Sequence, residues 1–358
     1  MAGSIPRGRE RAWRDRIGEG AKGRGEIDSV RGAKLTAHLG IRYAEPPFGP
    51  LRFHPPVDCD GEPRGEFGPR ADDPAAEDVL TLNVWSTVDA PAPVLLWIHG
   101  GANTVGSSAQ PEYAGDVIAG HGVVFVSCNF RLGVDGFGAV EGFPHNRGLL
   151  DIVSALRWIQ RNIARYGGDP GNVTIAGQSS GAQAVACLMV MPAAKGLFHR
   201  AIAHSVPGRF FSQDFAFEVA ANPQPDVVLY QPIVDGDTLP AVPLNGPFDV
   251  DLLVCHTIDE DAEVFRRATT HLANRANAFR SIYSRPPAHH GADIPDALRG
   301  DIAEAWARFA TTGSPGWPRE EVRWWGPEGR VQSWPDGVYL AILSWDEART
   351  TRFVSFPW

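Results

Sequence analysis

Apolar residues come in short unbroken runs through the middle of the chain, at 94–98, 123–128, 173–176, 201–203 and 252–255. Continuous rather than alternating apolarity implies strands covered on both faces, as in a parallel sheet. Between these runs the spacing becomes helical. Leu149, Ile152, Val153, Leu156, Ile159 and Ile163 predict a helix over 148–166, stopped by Gly167-Gly168-Asp169-Pro170. Strand and helix alternate from residue 94 to 310, which predicts a doubly wound α/β fold, a mostly parallel central sheet with helices on both faces. Leu82-Asn83-Val84-Trp85 reads as an additional, antiparallel strand, 262–277 as a helix and 279–283 as the last core strand. No repeat or low-complexity linker divides the chain. The expectation is one domain over 25–358, preceded by a loose Gly- and Arg-rich tail over 1–24.

Composition narrows the possibilities. Of 358 residues, 43% are hydrophobic, enough for a sizeable core, and the 39 glycines and 30 prolines are scattered among apolar runs as turn residues. A net charge of −9 argues against a nucleic-acid partner. Cys59, Cys128, Cys187 and Cys255 lie far apart, with no metal or redox spacing and no disulfide framework. The N-terminal arginines are followed by no apolar run and no stretch of 18 apolar residues occurs, so neither a signal peptide nor a membrane span is expected, and the location expected is cytoplasmic. Gly18-x-Gly20-x-x-Gly23 matches a dinucleotide fingerprint in form only, lacking a strand before it and a helix after it.

The chemistry concentrates around Val173-Thr174-Ile175-Ala176-Gly177-Gln178-Ser179-Ser180-Gly181. A β-branched run enters Gly-x-Ser-x-Gly and a helix-compatible stretch follows at once, the pattern of a sharp turn that exposes the central serine. Ser179 is the candidate nucleophile, and Ser180 offers a backbone N–H. The pentapeptide alone is as compatible with a plain glycine-rich turn. A serine nucleophile also needs a base, an orienting acid and oxyanion donors. His99-Gly100-Gly101-Ala102-Asn103, after the run 94–98, supplies small residues whose N–H groups, at Gly101 and Ala102, can face a developing oxyanion. Asp259, Glu260 and Asp261 follow the run ending at Cys255, and His289 and His290 follow the strand 279–283, in the order nucleophile, acid, histidine.

With these residues in view, the chain resembles the type B carboxylesterase family, which includes cholinesterases and bacterial para-nitrobenzyl-type esterases. The resemblance runs from residue 25 to 358, through Gly40-Ile41-Arg42-Tyr43-Ala44-Glu45-Pro46-Pro47, Asn129-Phe130-Arg131-Leu132-Gly133, Gly167-Gly168-Asp169-Pro170-Gly171-Asn172-Val173-Thr174 and Trp306-Ala307-Arg308-Phe309-Ala310-Thr311-Thr312-Gly313. It implies the α/β-hydrolase fold and a cofactor-free serine hydrolase acting on small-molecule carboxylic esters. By the same resemblance Ser179 is the nucleophile, His290 the base, Glu260 the acid, and Gly101, Ala102 and Ser180 form the oxyanion hole. Glu77 and Arg131 fall where relatives carry a structural ion pair. The rival reading is a catalytically silent scaffold that binds a ligand or protein.

Departures from the family pattern bear on the site. Gln178 stands where glutamate is commoner, Ala102 replaces a glycine, and Val79 replaces a cysteine, removing a family disulfide. Long helical insertions are missing after Ser205 and between Glu260 and His290, which implies a reduced cap and a shallow site suited to short substrates. The aromatic remnant Arg209-Phe210-Phe211-Ser212-Gln213-Asp214-Phe215-Ala216-Phe217 is a candidate substrate wall at Phe210 and Phe211, or else a cover for apolar surface. Oligomeric state has no signal in the sequence.

Overall fold

The computed structural model describes residues 25–30, 33–87, 91–223, 227–326 and 331–333; the expected tail over 1–24 lies outside them. Eleven strands form one sheet in the order β1-β2-β3-β5-β4-β6-β7-β10-β11-β12-β13. Its strands are β1 (Gly25–Val30), β2 (Ala33–Arg42), β3 (Thr81–Ser86), β4 (Ala92–Ile98), β5 (Val124–Cys128), β6 (Gly168–Gln178), β7 (Arg200–His204), β10 (Asp251–Thr257), β11 (Phe279–Tyr283), β12 (Glu321–Trp325) and β13 (Val331–Ser333). From β5 across to β12 every neighbouring pair is parallel. Antiparallel strands close both edges, and β3, the expected additional strand, pairs antiparallel with β2 and β5. The strand at 279–283 is not the last, since β12 and β13 continue the sheet beyond it. Two further short strands, β8 (Phe211–Ser212) and β9 (Ile233–Val234), pair with each other apart from the sheet.

The unbroken apolar runs feed two cores at once. Along β4, Val94, Leu96 and Ile98 enter one core while Leu95 and Trp97 enter the other. The first core is covered by the helix Arg147–Asn162, which buries the expected stripe Leu149, Ile152, Val153, Leu156 and Ile159. The second is covered by the helix Asp301–Thr312 through Ile302, Trp306 and Phe309. Burying both faces is what makes a parallel strand read as continuous apolarity. The helix expected at 262–277 spans Glu263–Arg275. Among the described residues no helix is long and apolar enough to cross a membrane.

Arg131 is ion-paired and buried, but its partner is not Glu77. Its guanidinium donates to both oxygens of Asp151, at 2.7 and 2.8 Å, while Glu77 is exposed. The reason is position, because Asp151 lies on the helix Arg147–Asn162 and is fully buried beside Arg131, where a buried guanidinium needs a bidentate anion. Asp78, beside Glu77, pairs instead with Arg42 and Arg64.

Candidate active site

The parallel strands end on one side of the sheet, and their final residues and following loops supply the site. Ser179 sits between β6 and the helix Ser180–Leu188, with φ 57 and ψ −125. That backbone position is strained for a residue with a β-carbon. Two glycines make the turn sterically possible. A Cβ on Gly177 would stand 2.4 Å from the Gly181 backbone, and one on Gly181 would stand 2.1 Å from the Ile98 carbonyl at the end of β4. The Ser179 N–H donates to the His204 carbonyl at 2.9 Å, tying the turn to β7.

The loop after β4 is folded by positive φ at Gly101 (118°), Ala102 (54°) and Asn103 (57°). Asn103 braces it, since its N–H donates to Ser180 Oγ at 3.3 Å, its side-chain amide to the Tyr230 carbonyl at 3.1 Å, and its carbonyl accepts from Gly133 N–H at 2.7 Å. Gly100 presses against the turn so closely that a Cβ there would lie 3.2 Å from Ser179 Cβ. No acceptor for the N–H groups of Gly101 or Ala102 occurs among the described residues. Ser180 N–H opens a helix, where the first N–H groups have no intrahelical acceptor.

Glu260 and His290 meet as expected. His290 Nδ1 lies 2.7 Å from Glu260 Oε2, with side chains 16% and 3% exposed. Glu260 Oε1 accepts from Ser205 Oγ at 2.5 Å and from Thr257 N–H at 2.9 Å. Burial opposes the ionised form of Glu260, but the hydrogen bonds from His290, Ser205 and Thr257 outweigh it and hold the carboxyl below its ordinary 4.5. Asp259 and Asp261, the other two carboxylates of the loop, are exposed. Asp259 N–H donates to the Ala288 carbonyl at 3.1 Å, which ties the acid loop to the histidine loop. His289 is exposed, while the His290 ring packs on Phe265 at 4.1 Å between centroids.

Phe210 and Phe211 do not form a substrate wall. They are 0% and 2% exposed, Phe210 in the first core and Phe211 in a small separate cluster with Phe215, Ala216, Val219 and Ile233. Phe210, Phe211 and Phe215 pack into apolar clusters instead, the other role open to this segment from sequence.

Two features escaped the sequence reading. Gln178, noted only as a departure, lies with Nε2 3.1 Å from His290 Nε2. His204 Nδ1 and Asp293 Oδ2 form a second histidine–carboxylate pair at 2.6 Å, fully buried, with Cys255 close by. Two ligands on one tetrahedral zinc ion would stand roughly 3.3 Å apart, so the 2.6 Å contact is a hydrogen bond rather than a metal site. Local sequence carries no signal for either contact, since the partners are 112 and 89 positions apart.

Comparison with known proteins places the fold and the family. A solved para-nitrobenzyl (PNB) esterase superimposes with a TM-score of 0.77 at 25% identity, over 89% of this chain and 97% of that one, so the chain has the α/β-hydrolase fold. A fumonisin B1 esterase of Sphingopyxis macrogoltabida is 32% identical over 332 residues, covering 79% of this chain and 61% of that protein. The para-nitrobenzyl esterase of Bacillus subtilis (strain 168) is 39% identical over 207 residues, covering 51% of this chain and 42% of that protein. The chain thus spans 42 to 61% of the length of these two relatives. The model of the Carboxylesterase family matches residues 19–214, and the chain belongs to that family.

Proposed function

We propose that the protein hydrolyses small carboxylic esters through an acyl-enzyme on Ser179. The observation that carries this reading is the 2.7 Å contact of His290 with an ionised, thrice hydrogen-bonded Glu260, at the strand ends beside the strained Ser179 turn. In this mechanism His290 Nε2 takes the hydroxyl proton as Ser179 Oγ attacks the carbonyl carbon, while Glu260 holds Nδ1–H and stabilises the imidazolium. The oxyanion is held by the N–H groups of Gly101, Ala102 and Ser180, each such donor being worth about 100- to 1,000-fold in rate. His290 returns the proton to the leaving alkoxide, and a water molecule repeats the sequence on the acyl-enzyme. No step calls for a cofactor. The short segment between β7 and β9 leaves little wall around the acyl group, which favours short acyl chains.

Hydrolysis of para-nitrophenyl acetate by wild type and Ser179→Ala tests this reading. The variant should lose activity by about 10⁶-fold. Equal rates would replace the hydrolase with a binding scaffold, and faster turnover of long-chain than of acetyl esters would remove the short-chain preference alone.

A further inference from the structure

The atom of His290 that takes a proton in the proposed reaction is already occupied. Gln178 Nε2 lies 3.1 Å from it, and Gln178 is buried at 7% exposure. Its Oε1 lies over Gly100, 3.0 Å from where a Cβ would stand, and its Nε2 faces the histidine loop, 3.6 Å from where a Cβ on Gly291 would stand. One side chain therefore spans the oxyanion loop and the histidine loop.

We propose that Gln178 is a positioning residue that donates its amide N–H to His290 Nε2 and so fixes the neutral, Nδ1-protonated tautomer before substrate arrives. This rests on the esterase reading only for its consequence in rate; the contact itself does not. Glu260 is an acceptor, so the 2.7 Å bond to it requires the proton on Nδ1. Nε2 then carries a lone pair, which fits an N–H donor at 3.1 Å; the other tautomer would set two donors against each other. A donor to the lone pair also stabilises neutral imidazole over imidazolium. Gln178 must therefore yield its place when Nε2 takes the Ser179 proton. Glutamate at this position would act in the opposite sense, as a negative charge favouring the imidazolium.

Other groups around His290 do not account for that effect. Glu260 faces Nδ1 from the loop after β10, with the Ser205 hydroxyl from the end of β7 on its far oxygen. Phe265, from the helix Glu263–Arg275, covers the ring with a hydrocarbon face, and its neighbour Arg266 pairs with Glu263. His256 at the end of β10 is buried, His289 is exposed, and Asp293 is bonded to His204. Gln178 is the side chain hydrogen-bonded to Nε2 among the described residues.

The test compares wild type, Gln178→Glu and Gln178→Met, by the acid limb of the kcat/KM profile for para-nitrophenyl acetate and by ¹⁵N NMR titration of labelled histidines. Glu should raise the His290 titration and the acid limb together by about one pH unit. Met, which keeps the length but has no donor, should move the Nε2 resonance downfield with Nδ1 still protonated. The proposal falls if both variants leave the His290 titration and the Nε2 resonance at their wild-type positions. An inactive protein whose His290 still responds to residue 178 would remove the esterase reading and keep this one. An active protein whose His290 ignores residue 178 would do the reverse.

Discussion

Two histidine–carboxylate pairs of almost equal length stand side by side at the strand ends, His290–Glu260 at 2.7 Å and His204–Asp293 at 2.6 Å. Both use Nδ1, and Asp293 lies three positions from His290 on the same loop. What separates them is the second nitrogen. His290 Nε2 meets the Gln178 amide in a partly open site, whereas His204 is fully buried, its ring edge-on to Trp306 and its Nε2 without a hydrogen-bond partner among the described residues. The contact distance is thus no guide to reactivity. A histidine becomes a base through what reaches its far nitrogen; without access, the same pair is a clamp, here between β7 and the loop that carries His290.

The comparison can be broken at either pair. Glu260→Gln keeps the shape of the open pair but removes the charge that stabilises imidazolium and selects the tautomer. It should lower kcat by about 10⁴-fold with little change in unfolding midpoint, measured by ester hydrolysis alongside urea denaturation. Asp293→Ala should do the reverse, costing up to about 3 kcal/mol of stability by leaving the buried His204 imidazole without its acceptor, while the folded fraction retains much of its turnover per active site. Active-site titration with a fluorophosphonate would supply that normalisation. If Asp293→Ala abolished turnover in fully folded protein, the distinction between base and clamp would be lost.

Histidines buried without a hydrogen-bonded carboxylate sharpen the contrast by the smallest effect. Burial pushes His99 and His256 from an ordinary 6.5 down to about 4. Between pH 6.5 and 4 the unfolded chain binds protons that the folded chain refuses, so stability falls as pH drops through that window. At pH 5 the loss is about 2 kcal/mol per histidine, and a Tm that did not fall between pH 7 and 5 would contradict it.

How far the molecule could be read in advance depended on whether a constraint was local. The β4 and β6 runs and the stripe of helix Arg147–Asn162 show in sequence because two-sided or one-sided burial dictates each residue in turn. The Ser179 turn shows because Gly177 and Gly181 answer to clashes within a few residues and with β4. Strand β12 did not, since Glu321, Arg323 and Trp324 are only partly buried near the sheet edge and leave no apolar run. Sequence could not by itself separate Glu260 from Asp259 and Asp261, because all three are carboxylates in one loop and only the fold turns one inward. The resemblance selected Glu260, and Glu260 is the carboxylate of the three that contacts His290. Arg131 misled for a related reason, as its anion comes from a helix 20 positions away rather than from the acidic pair at 77–78.

Ser179, with φ 57 and ψ −125, occupies backbone space that suits glycine. Replacement by glycine would relieve strain of about 1–3 kcal/mol while deleting the hydroxyl. With Ser179 as the proposed nucleophile, selection for stability alone would pull this position toward an inert protein. A β-carbon at residue 179 is held against that drift only as long as the lineage continues to use its chemistry.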